Sequence, residues 1–328
     1  MINWKDYTAR IIRLSASGKS SAEILEILKT ENKSKSIIFP KSAERTIRRI
    51  ASNEKEIISN IASNDKVAND CKILVFDIET YPFLAYSFNK WKTNINDDFI
   101  VHDWGMLCWS AKWLFSDEVM SDKMTEEELN NLDDSRISRS IWELINEAEV
   151  VIAHNGVKFD IKKVNTKFLE YEIGRPSPYQ VIDTLIHVRK RFAITSNRLD
   201  YIAKNFFGIE GKLQTETGLW RRCMDKEYSA LEFMSEYCDQ DVRVLEDVYL
   251  LMRAWISPHP NLALFSVTES DGCPVCLSDE REFTSTTYNT YVNRYESYRC
   301  LNCGHIYRSR TTLTPLKDNK GMKVSTPN

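Results

Sequence analysis

Between residues 71 and 256 the chain alternates short apolar runs with longer stretches in which apolar positions recur every three to four residues. Ile73-Leu74-Val75-Phe76, continued by Asp77, Ile78 and Glu79, is an apolar run of strand length and reads as a buried strand. Similar runs near 83–88, 105–114, 150–154 and 179–183 predict further strands. Helical spacing predicts helices near 125–148, 159–172, 197–207 and 228–255. Strands first, then alternating helix and strand, predict an α/β fold with a mixed sheet flanked by helices. Ahead of this core, residues 1–60 show three short helical patterns. The second opens with Ser20-x-x-Glu23, a capping box in which each residue satisfies the other's free backbone N–H. The third, SAERTIRRI, has Ser42 as its N-cap and carries Arg45, Arg48 and Arg49.

Two acidic residues interrupt the first strand. Side chains two apart on a strand share a face, so Asp77 and Glu79 emerge side by side. Such a pair inside a sheet is costly unless a cation compensates it, and a divalent metal does so. VVIAHN reads as a strand followed by a helix from about Lys158, which puts Asp160 in the first turn. On the long helical pattern after Tyr228, Tyr237 and Asp241 are four apart and share one face, setting a phenol beside a carboxylate.

FDIET, HNGVKFD and Tyr237-x-x-x-Asp241 resemble the three motifs of the DnaQ-like, DEDD superfamily of 3′–5′ exonucleases. The tyrosine makes the chain similar to the tyrosine subclass; the position where the other subclass has histidine is Glu236. The resemblance spans about 71–256 and takes in VIDTLIHVRKRF and LDYIAKNFFG. It implies a ribonuclease H-like fold and two Mg²⁺ or Mn²⁺ ions held by Asp77, Glu79, Asp160 and Asp241. It also implies that Tyr237 orients the attacking water and that nucleoside 5′-monophosphates are released. Thr80, Asn155 and Phe159 match positions that touch the terminal nucleotide, and each has a bland reading as strand end, turn residue or core aromatic. The substrate expected is DNA with single-stranded or frayed 3′ ends. RNA on the same site is the alternative, and a non-catalytic regulator would show a broken carboxylate set. Any proofreading would act in trans, beside a replication or repair protein.

Cysteine usage adds a second metal. Cys273-Pro-Val-Cys276 and Cys300-Leu-Asn-Cys303 enclose 23 residues. They read as the two knuckles of a zinc ribbon holding one structural Zn²⁺, with His305 surplus to the set. Cys71, Cys108, Cys223 and Cys238 show no ligand spacing. Between and after the knuckles, Tyr288, Tyr291, Arg294, Tyr295, Tyr298, Arg299, Tyr307, Arg308 and Arg310 interleave ring and cation. That mixture suits either base stacking or plain strand formation.

Charge divides the chain: residues 1–70 carry +4, 71–260 carry −8 and 261–328 carry +1. An acidic core suits a polyanion only if metals neutralise its centre and the flanks supply attraction. The expected organisation is a helical module and linker over 1–70, resembling a helix-turn-helix, then an exonuclease domain over 71–260. A four-cysteine ribbon over 261–310 and a polar tail over 311–328 complete it. Trp4, Lys5, Asp6 and Arg10 break any signal-peptide core, and no apolar run suggests a membrane span. The expectation is a cytoplasmic or nucleoid-associated protein that is not secreted.

Overall fold

The computed structural model describes residues 11, 20–31, 39–40, 43–44, 47, 71–91, 93–207, 209, 218–265 and 271–314. They fall into two compact units, one ending at Leu250 and one running on from Leu251.

The first unit is built on β1 (Ile73–Tyr81), whose Ile73–Phe76 and Ile78 are buried as the apolar run requires. With β4 (Gly105–Trp113), β5 (Met120–Lys123), β6 (Val150–Ala153) and β7 (Gln180–Asp183) it forms a five-stranded sheet in the order β5–β4–β1–β6–β7. β4 and β5 run antiparallel to their neighbours, whereas β1–β6 and β6–β7 are parallel, so the sheet is mixed.

Helices cover both faces. Trp109, paired across the ladder with Ile78, donates its indole N–H to the carbonyl of Ile137 on the helix Ser135–Glu147. That helix buries Ile137, Ile141 and Ile145 at four-residue spacing, with Leu74, Phe76 and Ile78 in the same core. On the other face, Ser110 stands opposite Asp77 and donates to Asp239 Oδ1 at 2.6 Å. Lys112, opposite Val75, pairs with Glu246. Asp239 and Glu246 lie on the 25-residue helix Tyr228–Met252, which is thereby tied across β1 and β4.

Further helices of this unit among the described residues are Ser21–Glu31, Glu126–Asn131, Asp160–Glu170, Thr184–Arg191, Leu199–Ile202 and Leu219–Met224. In chain order these elements are labelled α1 (Ser21–Glu31), α2 (Glu126–Asn131), α3 (Ser135–Glu147), α4 (Asp160–Glu170), α5 (Thr184–Arg191), α6 (Leu199–Ile202), α7 (Leu219–Met224) and α8 (Tyr228–Met252).

Several elements differ from the sequence reading. The strand near 83–88 shrinks to β2 (Leu84–Ala85), paired only with the short β3 (Ile100–His102). Pro82, just before it, has no N–H to donate to a ladder. The helix near 125–148 is two helices, because Leu132 turns left-handed at φ 55° and Asp133 Oδ1 accepts from Ser135 N–H to start the second. The helix near 197–207 is a single α turn that widens into a π turn over Ala203–Phe207. β5 and α7 were not predicted. β5 is an edge strand of Met-Ser-Asp-Lys with no apolar alternation, and Asp122 within it pairs with Arg136.

At the N-terminus, α1 carries the anticipated capping box. Ser20 N–H donates to Glu23 Oε2 at 2.7 Å, and Glu23 N–H donates to Ser20 Oγ at 3.4 Å. Ile24 and Leu28 form a small cluster with Ile11 and Ile47. Ser42, Arg45, Arg48, Arg49, the linker after Ser52 and the tail from Pro315 lie outside the described residues.

In the second unit, β8 (Arg281–Phe283), β9 (Tyr288–Asn289), β10 (Arg294–Cys300) and β11 (Ile306–Thr312) form an antiparallel sheet with β10 paired to the other three.

Candidate active site and zinc centre

Three of the four anticipated carboxylates meet. β1 supplies Asp77 and Glu79, α8 supplies Asp241, and one oxygen from each lies within 4.8 Å of the others. The seat of α8 fixes the third member: besides the Ser110–Asp239 bond, Cys238 Sγ lies 3.5 Å from the Asp77 carbonyl and 3.7 Å from Asp77 Oδ2. Burial, first of all, holds the Cys238 thiol far above its ordinary range, with Cys108 and the carboxylates adding to it. It is therefore a neutral packing group. The β1–β4 register slips after Glu79: Glu79 faces Cys108 but Thr80 faces Met106, leaving Leu107 as the extra residue. Such a bulge sharpens local twist and re-aims side chains where the carboxylates emerge.

Asp160 is the first residue of α4, almost wholly buried, and it stands beside the trio rather than within it. Pairing between β1 and β6 covers Ile73–Val75. Farther along the strand, the N–H of Ile78 is taken by Asp160 Oδ1 at 3.4 Å. The fourth carboxyl thus docks on the backbone between Asp77 and Glu79. Burial pushes its pKa up to about 7, and a cation nearby would favour its charged form.

What aims Asp160 was missed from sequence. Asp183 caps α5, accepting from Leu185 and Ile186 N–H at 3.0 and 3.2 Å. The same buried carboxylate also accepts from Asn155 N–H at 3.0 Å and Val157 N–H at 3.1 Å. It therefore clamps the loop that leads into α4. Asn155 sits at φ 72°, the left-handed turn conformation that asparagine tolerates. Gly156 must lack a side chain, since a Cβ there would fall 2.4 Å from Ala153 Cβ. Replacing Asp183 by alanine strands several buried donors at about 1–3 kcal/mol each. We expect Asp183→Ala to lose about 3 kcal/mol or more in urea unfolding, and Asp183→Asn, which keeps an acceptor, to lose less. A loss below about 1 kcal/mol would mean that Asp183 does not clamp the loop.

Other residues singled out from sequence find definite places. Tyr237 is buried on α8, one turn before Asp241. Thr80 follows the register slip on β1. Phe159 is the residue before α4 and is 37% exposed, so its ring remains available. His154 is held at both nitrogens, Nδ1 by Thr184 Oγ1 at 2.8 Å and Nε2 by the Asn197 carbonyl at 2.9 Å. Among the tryptophans near β4, Trp109 is buried and Trp113 packs on the core. Trp104 is half-buried, with the Lys163 ammonium 3.3 Å from its ring centroid.

In the second unit, the Sγ atoms of Cys273, Cys276, Cys300 and Cys303 lie within 4.8 Å of one another. Cys273–Cys303 and Cys276–Cys300 are 3.6 and 3.5 Å apart. Tetrahedral zinc with bonds of about 2.3 Å needs sulfur–sulfur edges of about 3.8 Å, so the set fits. His305 instead turns Nδ1 to the Ala254 carbonyl at 3.2 Å.

Residues 111–253 match the family model of the RNase_H superfamily. Together with the mixed sheet and flanking helices, this gives the chain a ribonuclease H-like domain, which supports a nucleic-acid-cleaving hydrolase in general. The matched region contains Asp160, Tyr237 and Asp241 and begins inside β4, after Asp77 and Glu79. Comparison with curated proteins finds no match. Among the described residues, no helix is long and apolar enough to cross a membrane.

Proposed function

We propose that this chain is a metal-dependent 3′–5′ exonuclease of the DnaQ-like tyrosine subclass, hydrolysing DNA from single-stranded or frayed 3′ ends. The observation that carries the reading is the convergence of Asp77, Glu79 and Asp241 from two elements far apart in sequence. An all-oxygen, all-anionic donor set fits hard divalent cations such as Mg²⁺ or Mn²⁺. Asp77, Glu79 and Asp241 would hold the two ions, with Asp160 completing the set. Bound there, the ions supply Lewis acidity for water and for the leaving 3′ oxygen.

The protein's own contribution is positional. β1 fixes the spacing of Asp77 and Glu79, and α8 brings Asp241 to them. Tyr237, a turn earlier on the same face, would orient a water by its hydroxyl. Thr80, Asn155 and Phe159 border the carboxylates in sequence and would contact the terminal nucleotide, with Phe159 offering a ring to its base. A four-cysteine zinc centre would hold the ribbon together, as thiolate sets of this geometry do.

The test is incubation with 3′- and 5′-labelled single- and double-stranded DNA and RNA, with Mg²⁺, with Mn²⁺, or without either. Stepwise shortening of DNA from the 3′ end, only with added metal, is the expected result. Faster loss from RNA would shift the reading to a ribonuclease on the same site, and cutting from the 5′ end would refute it.

A further inference from the structure

The ribbon sheet separates its rings and cations onto two unlike faces. Residues alternate across a strand, so on β11 Tyr307 lies on one side and Ile306, Arg308 and Arg310 on the other. Tyr307 packs against the cysteine cluster and stacks with Tyr298 at 5.6 Å between centroids, and Tyr298 in turn meets Phe283 at 5.0 Å. The cysteine cluster with Tyr307 is the ribbon's own small core, and Phe283 at the edge of that side is 69% exposed. The opposite side has no such duty. There the Arg308 guanidinium lies 4.1 Å from the Tyr295 ring centroid and 5.5 Å from that of Tyr288. Tyr288 is 51% and Ile306 50% exposed.

On this outer face Arg299 is already paired with Glu282, while Arg281, opposite Cys300 on the other side, pairs with Asp271. Among the described residues, Arg308 and Arg310 join no ion pair. β11 itself carries both arginines and no acid.

We infer that this outer face, centred on Tyr288, Tyr295, Arg308 and Arg310, binds single-stranded nucleic acid. Exposed rings offer stacking surfaces that accept any base, and unpaired guanidiniums bond phosphate oxygens along the strand. An acidic peptide would use the arginines and leave the rings idle, so the combination favours a strand of bases. Sequence tolerance follows, since stacking reads no base edge. The inference deepens the proposed function by giving the substrate a second hold outside the carboxylate site.

The experiment uses the full chain, zinc content verified, without added Mg²⁺ or Mn²⁺. Binding to labelled single strands of about 20 nucleotides, longer than one small domain tracks, is read by fluorescence anisotropy at two salt concentrations. Arg308→Glu should weaken binding about 10-fold or more and flatten the salt dependence. Tyr288→Ala should weaken it about 5-fold or more, and Tyr288→Phe, which keeps the ring, should not. Wild-type affinity in Arg308→Glu overturns the proposal. So does loss in Arg308→Glu with no loss in Tyr288→Ala and displacement by polyglutamate, the pattern of an acidic-protein site. No cleavage enters the readout. A chain that cuts DNA yet binds normally as Arg308→Glu refutes the ribbon face alone. One that never cuts but loses binding refutes the exonuclease reading alone.

Discussion

Asp77→Asn should abolish metal-dependent cleavage while leaving the protein at least as stable as the parent when no divalent ion is present. Asp77 and Glu79 share one face of β1, and Asp241 brings a third carboxyl within 4.8 Å. Without a cation this crowding is repulsive, so neutralising one member relieves strain in the empty site. With a cation the same change removes a ligand, and losing even one preorganised electrostatic contact slows an enzyme by about 10²–10³-fold. The two effects have opposite signs, which separates a metal site from a structural cluster. Initial rates in Mg²⁺ and Mn²⁺, set beside melting temperatures with and without those ions, provide the check. The parent should gain melting temperature on adding metal and the variant should gain much less. A variant that melts earlier without metal, or still cuts at the parental rate, contradicts the assignment.

The largest expected loss of stability lies away from the carboxylates, at Lys112. Its ammonium is almost fully buried and pairs with Glu246 on α8, whose other oxygen accepts the Phe115 N–H at 2.8 Å. Lys112→Met leaves the Glu246 carboxyl in the interior with a single backbone donor. Removing one partner of a buried pair costs about 3–5 kcal/mol, because the remaining charge cannot return to water. Lys112→Met combined with Glu246→Leu should recover most of that, less about 1 kcal/mol for the stranded Phe115 N–H. Urea unfolding of the two variants measures the difference. Equal losses in both would mean that α8 is not held by this pair.

Much of the architecture was legible because burial leaves a periodic trace. β1 could be read from its unbroken apolar run, and α8 from 25 residues of helical spacing. Ser20 and Glu23 announced α1 because a capping box is local chemistry three residues long. Asp160 could be placed at a helix start, but its bond to Ile78 could not. That contact spans 82 residues and depends on β6 ending its pairing with β1 at Val75. The clamp by Asp183 escaped for a related reason: capping of α5 is sequence-local, whereas its bonds to Asn155 and Val157 bridge 28 and 26 residues. β5 was invisible since an edge strand can satisfy its partner by backbone alone. A tryptophan under a lysine, as at Trp104, and one in a core look alike in a list of residues.

Asp77 and Glu79 are locked to each other by two peptide units, while Asp241 arrives on a separate body. If these carboxylates hold the ions as proposed, selectivity among ions of different radius would belong less to the motif strand than to whatever sets the height of the helix above it. Ser110, Asp239 and Cys238 form that footing. On the proposed site, a change in any of them would shift which cation works best while leaving Asp77, Glu79 and Asp241 in place.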